Sequence, residues 1–180
     1  MIIHEEKINS NFNGTIIDLE TIGGFSNYLD SRRYKDIIPV IFGYINNKNL
    51  KILCGKNKGS IQLLKQKIEE ILPTLKRPFH AFQSDFERGT LFHFTGKVIE
   101  FESELNTEKY EKKEWVVESL KIPQYGDPFK GSGFLCMKSW LNGDVKNAIS
   151  HNRSCLLKER DILKIRGNRK QDPLEFKTYL

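Results

Sequence analysis

Thr15-Ile16-Ile17-Asp18-Leu19-Glu20-Thr21-Ile22-Gly23-Gly24 begins as a β-branched run, turns acidic and ends in glycines. Thr15 to Leu19 reads as a strand opening into a loop, with turn-like flanks at Asn11 to Gly14 and at Gly23-Gly24. Side chains two apart on a strand share a side, so Asp18 and Glu20 stand together. Two carboxylates at the end of an apolar strand repel each other unless a cation sits between them. Hard divalent cations take oxygen ligands, and Mg²⁺ commonly uses one or two carboxylates plus phosphate oxygens. A strand end that simply meets solvent has the same pattern, so the tripeptide alone decides nothing.

Downstream, Pro39 to Ile45 reads as a second strand, Asn46 to Asn49 as a turn, and Leu50 to Cys54 as the returning strand of an antiparallel hairpin. Ser60 is placed to cap a helix that Pro73 stops. Its Ile61, Leu64, Ile68, Ile71 and Leu75 recur at steps of three and four. Phe79 to Phe82 reads as a fourth strand, Asp85 to Phe94 as a helix, and Val98 to Phe101 as a fifth strand. Residues 103–114 are charged and read as a loop or an exposed helix start. Trp115 to Leu120 is a short apolar piece. Pro123 to Gly133 is rich in glycine and proline and reads as irregular. The last element runs from Asp144 to Ile165. Val145, Ala148, Ile149, Asn152, Cys155, Leu156, Glu159, Ile162 and Leu163 lie on one of its faces. Asn152 and Glu159 interrupt that apolar stripe, and buried polar groups need partners. The order predicts a mixed α/β sheet, an antiparallel hairpin plus parallel strands, flanked by helices.

The chain has 180 residues, 38% hydrophobic and 29% charged. That length suits one domain over 1–180, and the composition excludes a disordered tail. No apolar run reaches the ~18–20 residues of a membrane span. The N-terminus has no signal-peptide pattern. Cys54, Cys136 and Cys155 are odd in number and form no Cys-x-x-Cys pair. This argues for a reducing, cytoplasmic setting and against a cysteine zinc site. The net charge is +6 and unevenly spread: eight Lys/Arg against two acids in 46–77, eight against four in 151–180, four against seven in 96–120. A basic balance permits a polyanion partner; a lysine-rich solvated surface has the same arithmetic.

The string Ile16 to Gly24 resembles the first motif of the DEDD superfamily of ribonuclease-H-like 3′–5′ exonucleases, in which an apolar strand ends in Asp-x-Glu followed by Thr and Gly. The strand and helix order above also fits that fold. Phe82-Gln83-Ser84-Asp85-Phe86-Glu87-Arg88-Gly89-Thr90-Leu91 is similar to its second motif. There Glu87 falls at the metal-binding Asp position, with Asp85 as a second carboxylate nearby. His151 and Asn152 resemble the third motif, His-Asn-x-x-Asp, but Cys155 stands at the Asp position. A neutral thiol is a poor Mg²⁺ ligand. Glu159, one turn further on the same face, is the substitute, and Asp161 points about 120° away from Cys155.

The resemblance implies a metal-dependent nuclease, a 3′–5′ exonuclease on single-stranded DNA or RNA that uses two Mg²⁺ or Mn²⁺ ions. Asp18, Glu20, Glu87 (or Asp85) and Glu159 are then the expected metal ligands, and His151 the general base. Lys56, Lys58, Arg153 and Lys158 are expected to hold phosphates. Phe25, Tyr28 and Tyr34 are placed for base stacking or for core packing. His151 and Cys155 together also permit a thiol nucleophile, without an orienting acid. Asp127, in the Gly126 to Gly133 loop, reads as a turn residue or as a further carboxylate. Two rivals remain: an exonuclease-like domain that binds nucleic acid without cutting it, and an unrelated α/β protein with a protein partner.

Overall fold

The computed structural model describes residues 1–178, so the last two positions of the expected domain lie outside it. Six strands form one sheet in the order β1-β4-β3-β2-β5-β6. They are β1 (Ile2–Lys7), β2 (Thr15–Gly23), β3 (Ile37–Ile45), β4 (Asn49–Cys54), β5 (Phe79–Ala81) and β6 (Ser103–Glu104). The pairs β1–β4, β4–β3 and β3–β2 are antiparallel, whereas β2–β5 and β5–β6 are parallel. Five α-helices flank the sheet: α1 (Ile61–Ile71), α2 (Ser84–Thr95), α3 (Lys113–Ser119), α4 (Gly133–Leu141) and α5 (Val145–Arg166). The expected mixed α/β sheet is therefore found, and it is consistent with a ribonuclease-H-like fold. No helix among the described residues is long and apolar enough to cross a membrane.

β2 is an interior strand buried on both faces, so its Asp18 and Glu20 are buried along with its apolar residues. The period of two divides its side chains. Ile17 and Leu19 pack with Phe42, Leu53 and the α1 stripe residues Leu64 and Ile68. Ile16 and Ile22 pack on the other face with Ile41, Ile45, Leu156 and Ile162. Asp18 and Glu20 lie between Ile16 and Ile22 in this alternation, so both carboxylates face α5.

α5 crosses very close to the strands at one point. A Cβ added to Gly43, which pairs with Asp18, would lie 2.0 Å from Asn152 Oδ1. Asn152 uses that room to donate from Nδ2 to Asp18 Oδ2 at 2.6 Å and to the Asp18 carbonyl at 3.3 Å. One polar interruption of the buried stripe is thereby a tie between helix and central strand.

Several elements differ from the sequence reading. Val98 to Phe101 is not a strand. Phe101 enters the core against Phe79 at 5.8 Å between ring centroids, and pairing with β5 starts only at Glu102 N–H, which donates to the Phe79 carbonyl. β1 and α4 are further elements. β1 adds an edge to β4, and α4 buries Cys136 and Trp140 against the α5 side of the sheet. The charged stretch 103–114 opens with the buried strand β6 and then runs as a loop to Lys112, with α3 starting at Lys113.

Candidate functional site

A cleft of about 620 Å³ opens over the α5 face of β2, lined by Asp18, Glu20, Glu87, Lys113, His151 and Cys155 among others. Four elements supply these groups: α3 brings Lys113, and β2, α2 and α5 bring the rest to the same point. β2 presents Asp18 and Glu20. α2 enters at the end of β5 and presents Glu87. α5 presents His151, Cys155 and Glu159 at four-residue steps, all buried. The N-terminus of α2 is held by the buried Glu104, which accepts from Ser84 N–H at 3.1 Å, and by Asn106, which accepts from Gln83 N–H at 2.9 Å.

Lys113 occupies the deep half of the cluster. Its ammonium sits 3.1 Å from Asp18 Oδ1 and also donates to Glu159 Oε1. Nearer the strand end lies a mixed group. His151 Nε2 is 3.6 Å from Glu20 Oε1 and 3.7 Å from Cys155 Sγ. On the other side of the ring, Nδ1 donates to Asp127 Oδ1 at 2.7 Å, and Lys158 Nζ holds Asp127 Oδ2 at 2.6 Å. Donor atoms of Glu20, Cys136 and His151 lie within 4.8 Å of one another, as do those of Asp18, Glu20 and Cys155.

The electrostatics follow from burial and crowding. Burial pushes Glu20 up to about 7, with Asp18 adding to the rise and His151 opposing it. Burial likewise pushes Glu159 up to about 8 against the pull of Lys113. Glu87 is held well above the carboxylate range by burial and by the charges of Asp18 and Glu159. Burial disfavours the Lys113 charge, but Asp18 and Glu159 outweigh it and keep the ammonium protonated. Burial also opposes charge on His151, and Glu20, Cys155 and Asp127 overcome it, taking the imidazole up to about 11. Asp127 lies well below its usual range because the hydrogen bonds from His151 and Lys158 overcome its burial. The count explains the pattern. Four carboxylates (Asp18, Glu20, Glu87 and Glu159) face only two cations, Lys113 and His151. The buried oxygens Oε2 of Glu87 and Oε2 of Glu159 have no hydrogen-bond partner. The cluster is therefore short of positive charge, which suits an added cation.

The other expected site residues fall elsewhere. Asp85 turns away from the cluster: Tyr34 Oη donates to it at 2.8 Å, and it lines a neighbouring hollow. Lys158 is buried on Asp127 and presents no charge to a phosphate. Arg153 is tied to Glu6 of β1. Lys56 and Lys58 are exposed, but neither lines the cleft. The register Glu20–Ile41–Cys54 puts their turn at the same sheet end, two strands away, roughly 10 Å. The cleft's own lysines are Lys112 and Lys113. Of the aromatic candidates, Phe25 is exposed on the rim, Tyr28 lies under the Arg32 guanidinium, and Tyr34 is buried. Burial raises the Cys155 thiol, which removes the thiolate a nucleophile needs. Asp161 faces Arg160 and Tyr125. Sequence reasoning missed Lys113 and Cys136, for which no local spacing signals a site. No protein family, curated protein or solved structure matches the chain.

Proposed function

We propose that this is a metal-dependent nuclease of the DEDD exonuclease class, hydrolysing phosphodiester bonds in single-stranded nucleic acid from the 3′ end. One observation supports the reading: Asp18, Glu20 and Glu87 line one cleft, Glu159 stands beside them on Lys113, and too few cations balance the four. Carboxylate donors with unpartnered buried oxygens fit Mg²⁺ or Mn²⁺. Asp18, Glu20, Glu87 and Glu159 would hold the ions, two in the full version of the mechanism. When bound, such ions supply an acidified water and stabilise the leaving oxygen.

The chain's own residues have definable tasks. Asp127 and Lys158 fix the ring plane of His151 and keep its Nε2 aimed at Glu20. His151 serves as a base only when neutral, so the charge of Glu20 must first be taken up by another cation. Phe25, Tyr110 and Phe134, all exposed around the opening, offer ring faces to unpaired bases.

The test uses 5′-labelled single strands with Mg²⁺ or Mn²⁺. Stepwise shortening is expected, with loss of activity in Asp18→Ala and in Glu20→Ala. Undiminished cleavage in both variants overturns the assignment. A second reading, binding without cleavage, is favoured by the Lys113 ammonium between Asp18 and Glu159. It expects single strands to be retained in a salt-sensitive manner and left intact.

A further inference from the structure

We propose that Glu20, Cys136, His151 and Cys155 form a binding site for one zinc-class divalent ion at the sheet end of the cleft. The inference deepens the nuclease reading by naming the ion class on the His151 side.

The donor set selects the ion. Carboxylate, imidazole and two sulfurs suit Zn²⁺ or Co²⁺, and sulfur is a poor ligand for Mg²⁺. The spacing agrees. Ion–donor bonds of about 2.0–2.3 Å at a tetrahedral angle put neighbouring donors roughly 3.3–3.8 Å apart. His151 Nε2 lies 3.6 Å from Glu20 Oε1 and 3.7 Å from Cys155 Sγ. Cys136 is within 4.8 Å of both Glu20 and His151 donors. The Glu20 and Cys155 separations from Nε2 match those across a bound ion, and the Cys136 thiol, within 4.8 Å, would close in on it.

A second observation is independent of the donors. A histidine that binds metal through one nitrogen donates its other N–H to a carboxylate, which fixes the tautomer and the ring. His151 Nδ1 does so to Asp127, which is held in turn by the buried Lys158. The ring is thus oriented with Nε2 facing Glu20 and Cys155, and it is 2% exposed. The deep half of the cluster already has a cation in Lys113, between Asp18 and Glu159. The other half has no lysine or arginine, only the His151 imidazole, and it is the half that holds the sulfurs.

Binding forms bonds from the ion to His151 Nε2, to the Glu20 carboxylate and to the two sulfurs. The Nε2 proton and both thiol protons pass to the buffer, and nothing is oxidised or reduced. In this state His151 is a ligand rather than a base.

The experiment is a Co²⁺ titration of the full chain under reducing conditions. A thiolate-to-cobalt charge-transfer band in the near ultraviolet is expected, with the strong visible absorption of four-coordinate Co²⁺. Stoichiometric Zn²⁺ should erase the spectrum, and a hundredfold excess of Mg²⁺ should not. Cys155→Ser and Cys136→Ser should each weaken Co²⁺ binding at least tenfold. Cys54→Ser, whose thiol faces the Gly55 carbonyl, should keep the band. Circular dichroism of each variant checks that it is folded. A wild-type chain with no charge-transfer band, or a band that survives in the Cys136→Ser/Cys155→Ser double variant, overturns the site. The nuclease reading fails separately: Mg²⁺-driven cleavage without the band sinks only the zinc-class site, and the band without cleavage under any ion sinks only the nuclease.

Discussion

Replacing Gly43 by alanine tests the close approach of α5 to the sheet. The new methyl would sit 2.0 Å from Asn152 Oδ1 and 2.9 Å from both Asn152 Cγ and Leu156 Cδ1. The first two atoms belong to a fully buried side chain that cannot swing aside without leaving Asp18. Two costs follow. Overpacking a tight core costs about 1–3 kcal/mol. Loss of a buried hydrogen bond to a carboxylate costs about 1.5–3 kcal/mol. Together Gly43→Ala should destabilise by roughly 3–5 kcal/mol, a fall in Tm of about 10–15 °C for a chain of this size.

The assay is denaturant unfolding of Gly43→Ala, Asn152→Ala and the double variant. Asn152→Ala removes the obstructing amide, so the second substitution should cost far less in its presence. A coupling of roughly 1–3 kcal/mol is the range for residues in contact. Strict additivity, or a Gly43→Ala cost below about 1 kcal/mol, would refute the claim that α5 is pinned to β2 through this gap.

Other outcomes are equally specific. In the presence of chelator, folding stability should fall as pH rises from 5 to 8. Glu20 and Glu159 go from an ordinary 4.5 to about 7 and about 8, so the folded state keeps protons that the unfolded state has released. His151 has the same sign between 6.5 and about 11, and the combined loss by pH 8 should be several kcal/mol at about 1.4 kcal/mol per unit and group. Unfolding midpoints that are flat or rising over this range would contradict the charge count. Asp127→Asn leaves Lys158 buried without its counter-charge and should cost about 3–5 kcal/mol, partly recovered in Asp127→Asn/Lys158→Met; equal losses in both variants would argue against the pair. Trp140→Phe deletes the indole N–H that donates to the buried Gly55 carbonyl at 2.6 Å and should lower stability by about 1–3 kcal/mol in thermal or denaturant unfolding.

The parts of this fold that were legible carry strong periodicity. The β2 run, the β3–β4 hairpin and the stripes of α1 and α5 bury one face or two, and burial writes itself into residue type. β1 was silent because it is an edge: Ile2, His4 and Glu6 alternate with exposed Ile3, Glu5 and Lys7, and its place comes from pairing with β4 more than forty residues away. The site divides the same way. Asp18, Glu20, Asn152 and Glu159 betray themselves as polar residues where the pattern calls for apolar ones. Lys113 sits in a run of charges that looks solvated, and its partners are 95 and 46 residues distant. Asp127 looks like a turn residue because it is one, accepting from Phe129 N–H and Gly131 N–H while its carboxylate also holds His151 and Lys158.

The site sets two acids of β2 against three residues of α5 that span about twice their length. Two residues along a strand advance about 6.7 Å, and four along a helix about 6 Å. α5 therefore meets β2 in rungs: His151 at Glu20, Cys155 between Glu20 and Asp18, Glu159 at Asp18 beyond it. Glu159, at the far rung, needs positive charge, and Lys113 supplies it from α3. What remains at the middle rung is a sulfur beside an imidazole whose far nitrogen is already anchored.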